Sequence, residues 1–298
     1  MAARAIFRTQ RPVAVAAGLL GATGVGLWVA KSYFTNNAFA ESPEPPTVFS
    51  SWFGQSLKLG SSEVVNHNTK RLRFEFPNED ARSGLVLTSA VLVMTWPKGK
   101  MFPTVRPYTP VSSLHQRGAI DLLVKKYPNG KASTYLHSLS PGDTLYFLGS
   151  LKSYYWTPNR HPQITLIAGG AGITPMYQLI QGILHNPSDK TRITLVFGIN
   201  SEADVLFKEE FEEFEREFGR ERFRAVYAIS GTGMEKGREI RRGYVTRELL
   251  EREVGRAEDG NKVFVCGPPG MESSLLGRRG KGGILEELGY RKEQVHRF

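Results

Sequence analysis

Ile164-Thr165-Leu166-Ile167-Ala168-Gly169-Gly170-Ala171-Gly172 is where the chain changes character. Its first five residues are apolar or β-branched without a break, the pattern of a strand buried on both faces, and they end on a turn of small residues. Met176 to His185 then follows a helical period. Arg192 to Gly198, Arg222 to Ile229 and Lys262 to Cys266 are three further strand-like runs, with helical stretches between them. Strands alternating with helices predict a parallel, doubly wound sheet, and such sheets bind ligands beyond the carboxyl ends of their strands. The glycine turn falls at one such end and Cys266-Gly267-Pro268-Pro269-Gly270-Met271 at another. Two turns of small residues on one edge predict a cleft in which a dinucleotide can approach the backbone. Phe207, Phe211, Phe214 and Phe218 recur at helical spacing between glutamates, which reads as an amphipathic helix burying an aromatic face.

Upstream the pattern is strands and turns. Val64-Val65, Leu72 to Phe76, Gly84 to Thr95, Ala119 to Tyr127 and Thr144 to Leu148 are short β-prone runs separated by Pro, Gly and Asn. Their spacing predicts a small antiparallel barrel. Within it stands Arg106-Pro107-Tyr108-Thr109-Pro110. As chemistry this is a cation for a pyrophosphate, a flat phenol to stack on a ring and a hydroxyl beside it. As structure it is equally an edge strand ended by proline. Gly130-Lys131-Ala132-Ser133-Thr134-Tyr135-Leu136 opens a short helix whose free amides suit phosphate. Two anion sites and a stacking surface in one barrel point to a flavin nucleotide.

The bulk numbers set limits. The single cysteine, Cys266, excludes a disulfide framework and a built-in iron–sulfur cluster. Net charge is +10, but residues 1–40 hold Arg4, Arg8, Arg11 and Lys31 and no acid, so the rest carries 35 basic against 29 acidic residues. A mildly basic body favours encounter with an acidic partner or an anionic membrane surface. No motif that reads RNA or DNA is visible. Residues 1–11 are basic and acid-free, as mitochondrial presequences are. Val13 to Ala30 is uncharged and as a helix spans about 27 Å, close to a hydrocarbon core of about 30 Å. The reading is a presequence and anchor over 1–40 that leaves the body on a mitochondrial membrane, outer or inner, with a processed soluble form also open. A secretory or reticulum signal-anchor is the competing reading. The body then divides into a barrel domain over 41–157 and an α/β domain over 158–298.

Arg106 to Pro110, Gly130 to Ser133, Gly169 to Pro175 and Cys266 to Met271, in this order, resemble the ferredoxin-reductase-like flavoenzymes. Closer still, the chain resembles the mitochondrial NADH–cytochrome b5 reductases of fungi, from the basic start to Gln294-Val295-His296-Arg297-Phe298. The resemblance implies an antiparallel FAD-binding barrel followed by a doubly wound NAD-binding domain, with an N-terminal membrane segment. It implies that Arg106 holds the FAD pyrophosphate, that Pro107 and Tyr108 pack on the flavin and ribitol, and that Thr109 sits near the reacting flavin nitrogen. Leu123, Lys125, Gly130, Lys131 and Ser133 complete the FAD site, with Thr174 reaching across from the second domain. Gly169, Gly170, Gly172, Cys266, Gly267, Pro268 and Met271 receive the dinucleotide, Cys266 sharing the catalytic position with Thr109. Phe298 lies on the flavin side of the cleft.

Three positions depart from the family pattern. Ala132 stands for the usual Met and Ala171 for the usual Thr, neither of which removes a backbone amide. Ser230 stands where an Asp usually repels a 2′-phosphate, and Lys236, Arg238, Arg241 and Arg242 follow it. This admits NADPH beside NADH, whereas Glu202 and Asp204 after the second strand are expected to face the adenosine and oppose it. Since no haem domain or iron–sulfur ligand set is encoded, the one-electron acceptor is a separate molecule. An acidic cytochrome b5-like haem protein suits the basic body, with Lys125, Lys126 and Lys131 as docking charges. A quinone or ferric-chelate reductase, or a catalytically silent tethered scaffold, are the rival readings.

Overall fold

The computed structural model describes residues 44–49, 54–97, 99, 101–231, 240–278 and 280–298. The proposed anchor, Lys236 and Arg238 lie outside the described residues. Among the described residues no helix is long and apolar enough to cross a membrane.

Six strands build the first half: β1 (Gln55–Asn66), β2 (Thr69–Glu75), β3 (Ser89–Thr95), β4 (Thr104–Tyr108), β5 (Ala119–Lys125) and β6 (Thr144–Lys152), paired in the order β4-β3-β6-β1-β2-β5. Every pairing is antiparallel. The two outer strands meet as well, because Pro110 bridges Leu122 and the Val111 amide donates to the Asp121 carbonyl at 2.9 Å. The sheet is thereby closed into the expected barrel. Alternation drives it: β3 turns Val91 and Val93 inward, both fully buried, against Leu57, Leu59, Leu72, Phe74, Ile120 and Phe147. Helix α1 (Lys131–Ser138) follows the Gly130 turn as expected, and its Leu136 is fully buried in the same cluster.

The second half is a parallel sheet of β7 (Gln163–Gly169), β8 (Arg192–Ile199), β9 (Phe223–Ile229), β10 (Ile240–Arg242), β11 (Lys262–Cys266) and β12 (Val295–Arg297), in the order β10-β9-β8-β7-β11-β12. The four inner strands are those expected. Helices α2 (Ile173–Leu184) and α3 (Lys208–Phe218) pack with one face of it, and α4 (Arg247–Glu253), α5 (Pro269–Leu276) and α6 (Ile284–Glu287) with the other. The phenylalanine stripe is a core face, as read: Phe207 stacks on Tyr177 at 3.9 Å between ring centroids, and Phe211 is fully buried.

Three strands differ from the sequence expectation, and a fourth, β4, matches one of its two readings. The Arg106 to Tyr108 stretch lies on β4, the edge strand that the sequence also allows, and Pro107 is tolerated because β4 lies at the end of the ladder order. β10 and β12 are three residues each and largely polar, so no period marks them; pairing with a neighbour already in place creates them. The run expected from Gly84 becomes strand only at Ser89, because residues 86–89 form a turn that docks the second domain.

Candidate functional site

A cleft of about 680 Å3 lies between the barrel and the sheet edge. Arg106, Pro107 and Tyr108 line it from β4 and Thr109 from just beyond that strand, Leu123 and Lys125 from β5, and Gly130, Lys131 and Ser133 from the start of α1. From the second half come Gly172, Thr174, Cys266 and the C-terminal Phe298. A second cavity of about 500 Å3 opens beyond the glycine turn, lined by Gly169, Gly170, Pro268 and Met271 together with Asn200 and Ser230. Lys125 and Tyr127 line both cavities, so the two adjoin.

The first cleft carries no Asp or Glu side chain among its described lining residues and holds three cations, Arg106, Lys125 and Lys131. The first turn of α1 adds its helix N-terminus to this positive wall. Ser133 Oγ donates to the Gly130 carbonyl at 3.2 Å and accepts from the Tyr127 amide at 3.3 Å, which shapes that turn. Burial pushes the Tyr108 phenol up to about 12, with Arg106 pulling the other way, so it stays protonated at neutral pH. A protonated phenol, an apolar flank at Leu123 and Pro175, and an acid-free cationic wall form a donor set that fits a flavin nucleotide diphosphate.

Gly172 shows why the glycine turn admits little else. A Cβ there would stand 2.2 Å from the Cys266 carbonyl oxygen, so the two ligand turns touch through backbone. Gly170, at φ +53°, takes the left-handed conformation that ends β7. Thr174 Oγ1 donates to the Ala171 carbonyl at 3.2 Å and anchors the start of α2. The Cys266 thiol is pushed up to about 12, by burial first and then by Glu272, while Arg297 opposes. It is a neutral thiol and not a nucleophile at physiological pH. Glu272 is itself held by Arg297 at 2.7 Å and accepts from the Gly267 amide at 3.3 Å.

Three expectations need correction. Sequence makes Lys125 a docking charge, but its side chain is only 12% exposed and its ammonium lies 2.7 Å from Asp204. Lys126 and Lys131 are exposed. Their place after the second strand predicts that Glu202 and Asp204 face the adenosine, yet neither lines the second cavity. Asp204 turns instead to the barrel, accepting from Lys125, from Asn68 at 3.3 Å and from Ser201 at 2.8 Å. Gly267 lines neither cavity; a Cβ there would press on Met271 Cε at 2.4 Å, so it serves the packing of the turn. Of the basic residues after Ser230, Arg241 is paired with Glu253 at 3.2 Å and Arg242 is exposed.

Tyr127 is the residue that sequence reasoning passed over. Its hydroxyl accepts from the Ala171 amide at 3.3 Å, joining barrel to glycine turn where the cavities adjoin. The only signal was an aromatic directly before the Pro128-Asn129-Gly130 turn.

The fold and the paired cavities define a two-domain flavin- and dinucleotide-dependent oxidoreductase. Residues 56–156 match the family described as the oxidoreductase FAD-binding domain, and residues 166–276 the oxidoreductase NAD-binding domain. The NADH-cytochrome b5 reductase 2 of Emericella nidulans is 46% identical over 304 residues, covering 98% of this chain and 92% of that one. That of Botryotinia fuckeliana is 47% identical over 251 residues, covering 82% and 72%. The cytochrome b5 reductase domain of Ulva prolifera nitrate reductase superposes with a TM-score of 0.73 at 27% identity, covering 85% of this chain and all of that one. The chain belongs to the NADH–cytochrome b5 reductase family and is an NADH-dependent oxidoreductase with an FAD site.

Proposed function

We propose that the chain takes hydride from NADH and passes electrons singly to cytochrome b5 or a similar haem protein. The observation that carries this is the pair of adjoining cavities, one acid-free and cationic, the other floored by the glycine turn. FAD, when bound, supplies the redox chemistry by accepting two electrons together and returning them one at a time. The protein's own residues bind and orient. We assign the pyrophosphate of FAD to Arg106 and the first turn of α1, the flavin wall to Pro107, Tyr108 and Leu123, and the reacting rings to Thr109 and Cys266. The neutral Cys266 thiol offers a small polarisable surface and puts no negative charge in the path of a hydride. Phe298, on the same cleft, covers the site from the second domain.

Ser230 lines the second cavity, and no Asp or Glu does so among the described residues. NADPH is therefore admitted beside NADH, with weak discrimination between them. The acceptor docks near the exposed Lys126 and Lys131, and the N-terminal segment over 13–30 holds the body at a mitochondrial membrane. The test is an anaerobic titration of the purified full chain with each dinucleotide, followed by addition of cytochrome b5, a quinone or a ferric chelate. Bleaching of the flavin band by NADH with preferred reoxidation by cytochrome b5 supports the proposal. Preferred reoxidation by the quinone or the chelate overturns the acceptor, and a colourless protein after FAD addition overturns the activity. Carbonate extraction of mitochondria reads the anchor: release of the whole pool into the supernatant refutes it.

A further inference from the structure

The turn at residues 86–89 enters β3, meeting the second domain through Leu87 and Ser89 and the link between the two domains through Thr88. It is closed by the Ser89 amide donating to the Val86 carbonyl at 3.1 Å. Thr88, at its third position, has φ +67° and is 2% exposed, while Leu87 is not among the residues with positive φ. That is the pattern of a type II turn, which reserves this position for glycine or asparagine. A β-branched residue there is strained.

The strain has a counterpart in contacts. Leu87 fills the space over Gly182 on α2, where a Cβ would come within 2.2 Å of its Cδ2. Gln178 Nε2, on the same helix and buried, donates to the Ser89 carbonyl at 3.2 Å. Between them the Thr88 hydroxyl donates to the Tyr154 carbonyl at 2.6 Å and accepts from the Tyr154 amide at 2.9 Å. Tyr154 lies on the link between β6 and β7, and its ring packs edge-on against Phe264 and His296, each at 5.0 Å. Phe298 in turn lies 5.1 Å from His296 and stacks with Phe264 at 5.8 Å. Thr88 itself lines the first cleft with Phe298 and Cys266. Glycine would adopt this turn freely, so what threonine adds is the pair of bonds to Tyr154.

We propose that Thr88 is a positioning residue for hydride transfer, its hydroxyl clamping Tyr154 and thereby fixing the Phe298–Cys266 wall of the cleft relative to the barrel. The proposal rests on the reading that the two cavities hold FAD and NADH. Loosening this register disturbs the approach of the two rings more than the binding of either, so the effect falls on kcat and not on KM. A displacement on the order of 1 Å costs up to about 100-fold in rate.

The experiment compares the full chain with Thr88→Gly and Thr88→Ser. Amide exchange at residues 153–156 reads the clamp directly, before any NADH is added. Thr88→Gly is expected to exchange at Tyr154 about tenfold faster and to lose about tenfold in kcat with a ferricyanide acceptor. KM for NADH and FAD affinity should stay within about twofold of the parent. Its melting temperature should stay close to the parent's, because relief of strain offsets the lost bonds. Thr88→Ser, which keeps the hydroxyl, should restore both exchange and kcat. Unchanged exchange at Tyr154, or unchanged kcat, in Thr88→Gly would overturn the proposal. The flavin band of the parent protein is read first: its absence would count against the cofactor assignment, while exchange at Tyr154 would still decide the clamp.

Discussion

Asp204→Asn tests what joins the two halves where the cavities adjoin. The Lys125–Asp204 pair is short, at 2.7 Å, and its side chains are 12% and 8% exposed. Breaking a buried pair by removing one partner costs about 3–5 kcal/mol, mostly through the charge left behind. Asparagine keeps an oxygen for Lys125 and Ser201, and Lys125 borders two cavities, so the expected loss is smaller, about 2 kcal/mol. For a folded body of this size that corresponds to roughly 4–8 °C in Tm. The pH dependence has a definite sign. Burial opposes ionisation of Asp204, but the bonds from Lys125, Ser201 and Asn68 outweigh it and hold the carboxyl below its ordinary value of 3.8. A depressed carboxyl stabilises the fold fully above its unfolded pKa and loses that contribution as pH falls through the folded value. The gap between parent and variant should therefore be constant from about pH 5 to 7 and shrink below about pH 4. Differential scanning fluorimetry of the FAD-loaded proteins across this range is the assay. A variant melting within 1 °C of the parent at about pH 7, or a gap that persists undiminished into acid, would refute the reasoning.

Three further outcomes are expected. Arg106→Ala should weaken FAD about 10–100-fold in a flavin-fluorescence titration, with Arg106→Lys recovering only part, since a point charge lacks the guanidinium fork. Because the Cys266 thiol is held near 12, the rate of NADH-driven flavin reduction should show no thiol titration between about pH 6 and 9. A step in that range present in the parent and absent in Cys266→Ser would show that a thiolate takes part. Ser230→Asp should raise the NADH/NADPH ratio of kcat/KM about tenfold by placing a like charge beside the 2′-phosphate, and an unchanged ratio in steady-state assays would sink the weak-discrimination reading.

Much of the architecture was legible in the residues because it follows from period. The runs at 164–168 and 263–266, apolar or β-branched without a break, belong to strands buried on both faces, and the Pro- and Gly-punctuated runs upstream belong to a barrel. The positions of Arg106, the Gly130 turn and the glycine turn in sequence sufficed to nominate the cleft, since chain topology brings strand ends to one edge. Three things required the tertiary structure. Lys125 reads in sequence as an FAD-site lysine and a docking charge, and only the packing of the 201–204 turn against β5 makes it a buried ion pair. Strands β10 and β12 exist because a neighbour offers a ladder, not because their own residues favour one. Thr88 carries no local signal at all. Its left-handed backbone opposes the preference of a β-branched residue, and contacts 66 positions away along the chain hold it there. Local pattern determines which elements form, because periodicity is a property of neighbours in sequence. How the two halves meet depends on charges and hydroxyls paired across long sequence separations, and only the folded chain decides those pairs.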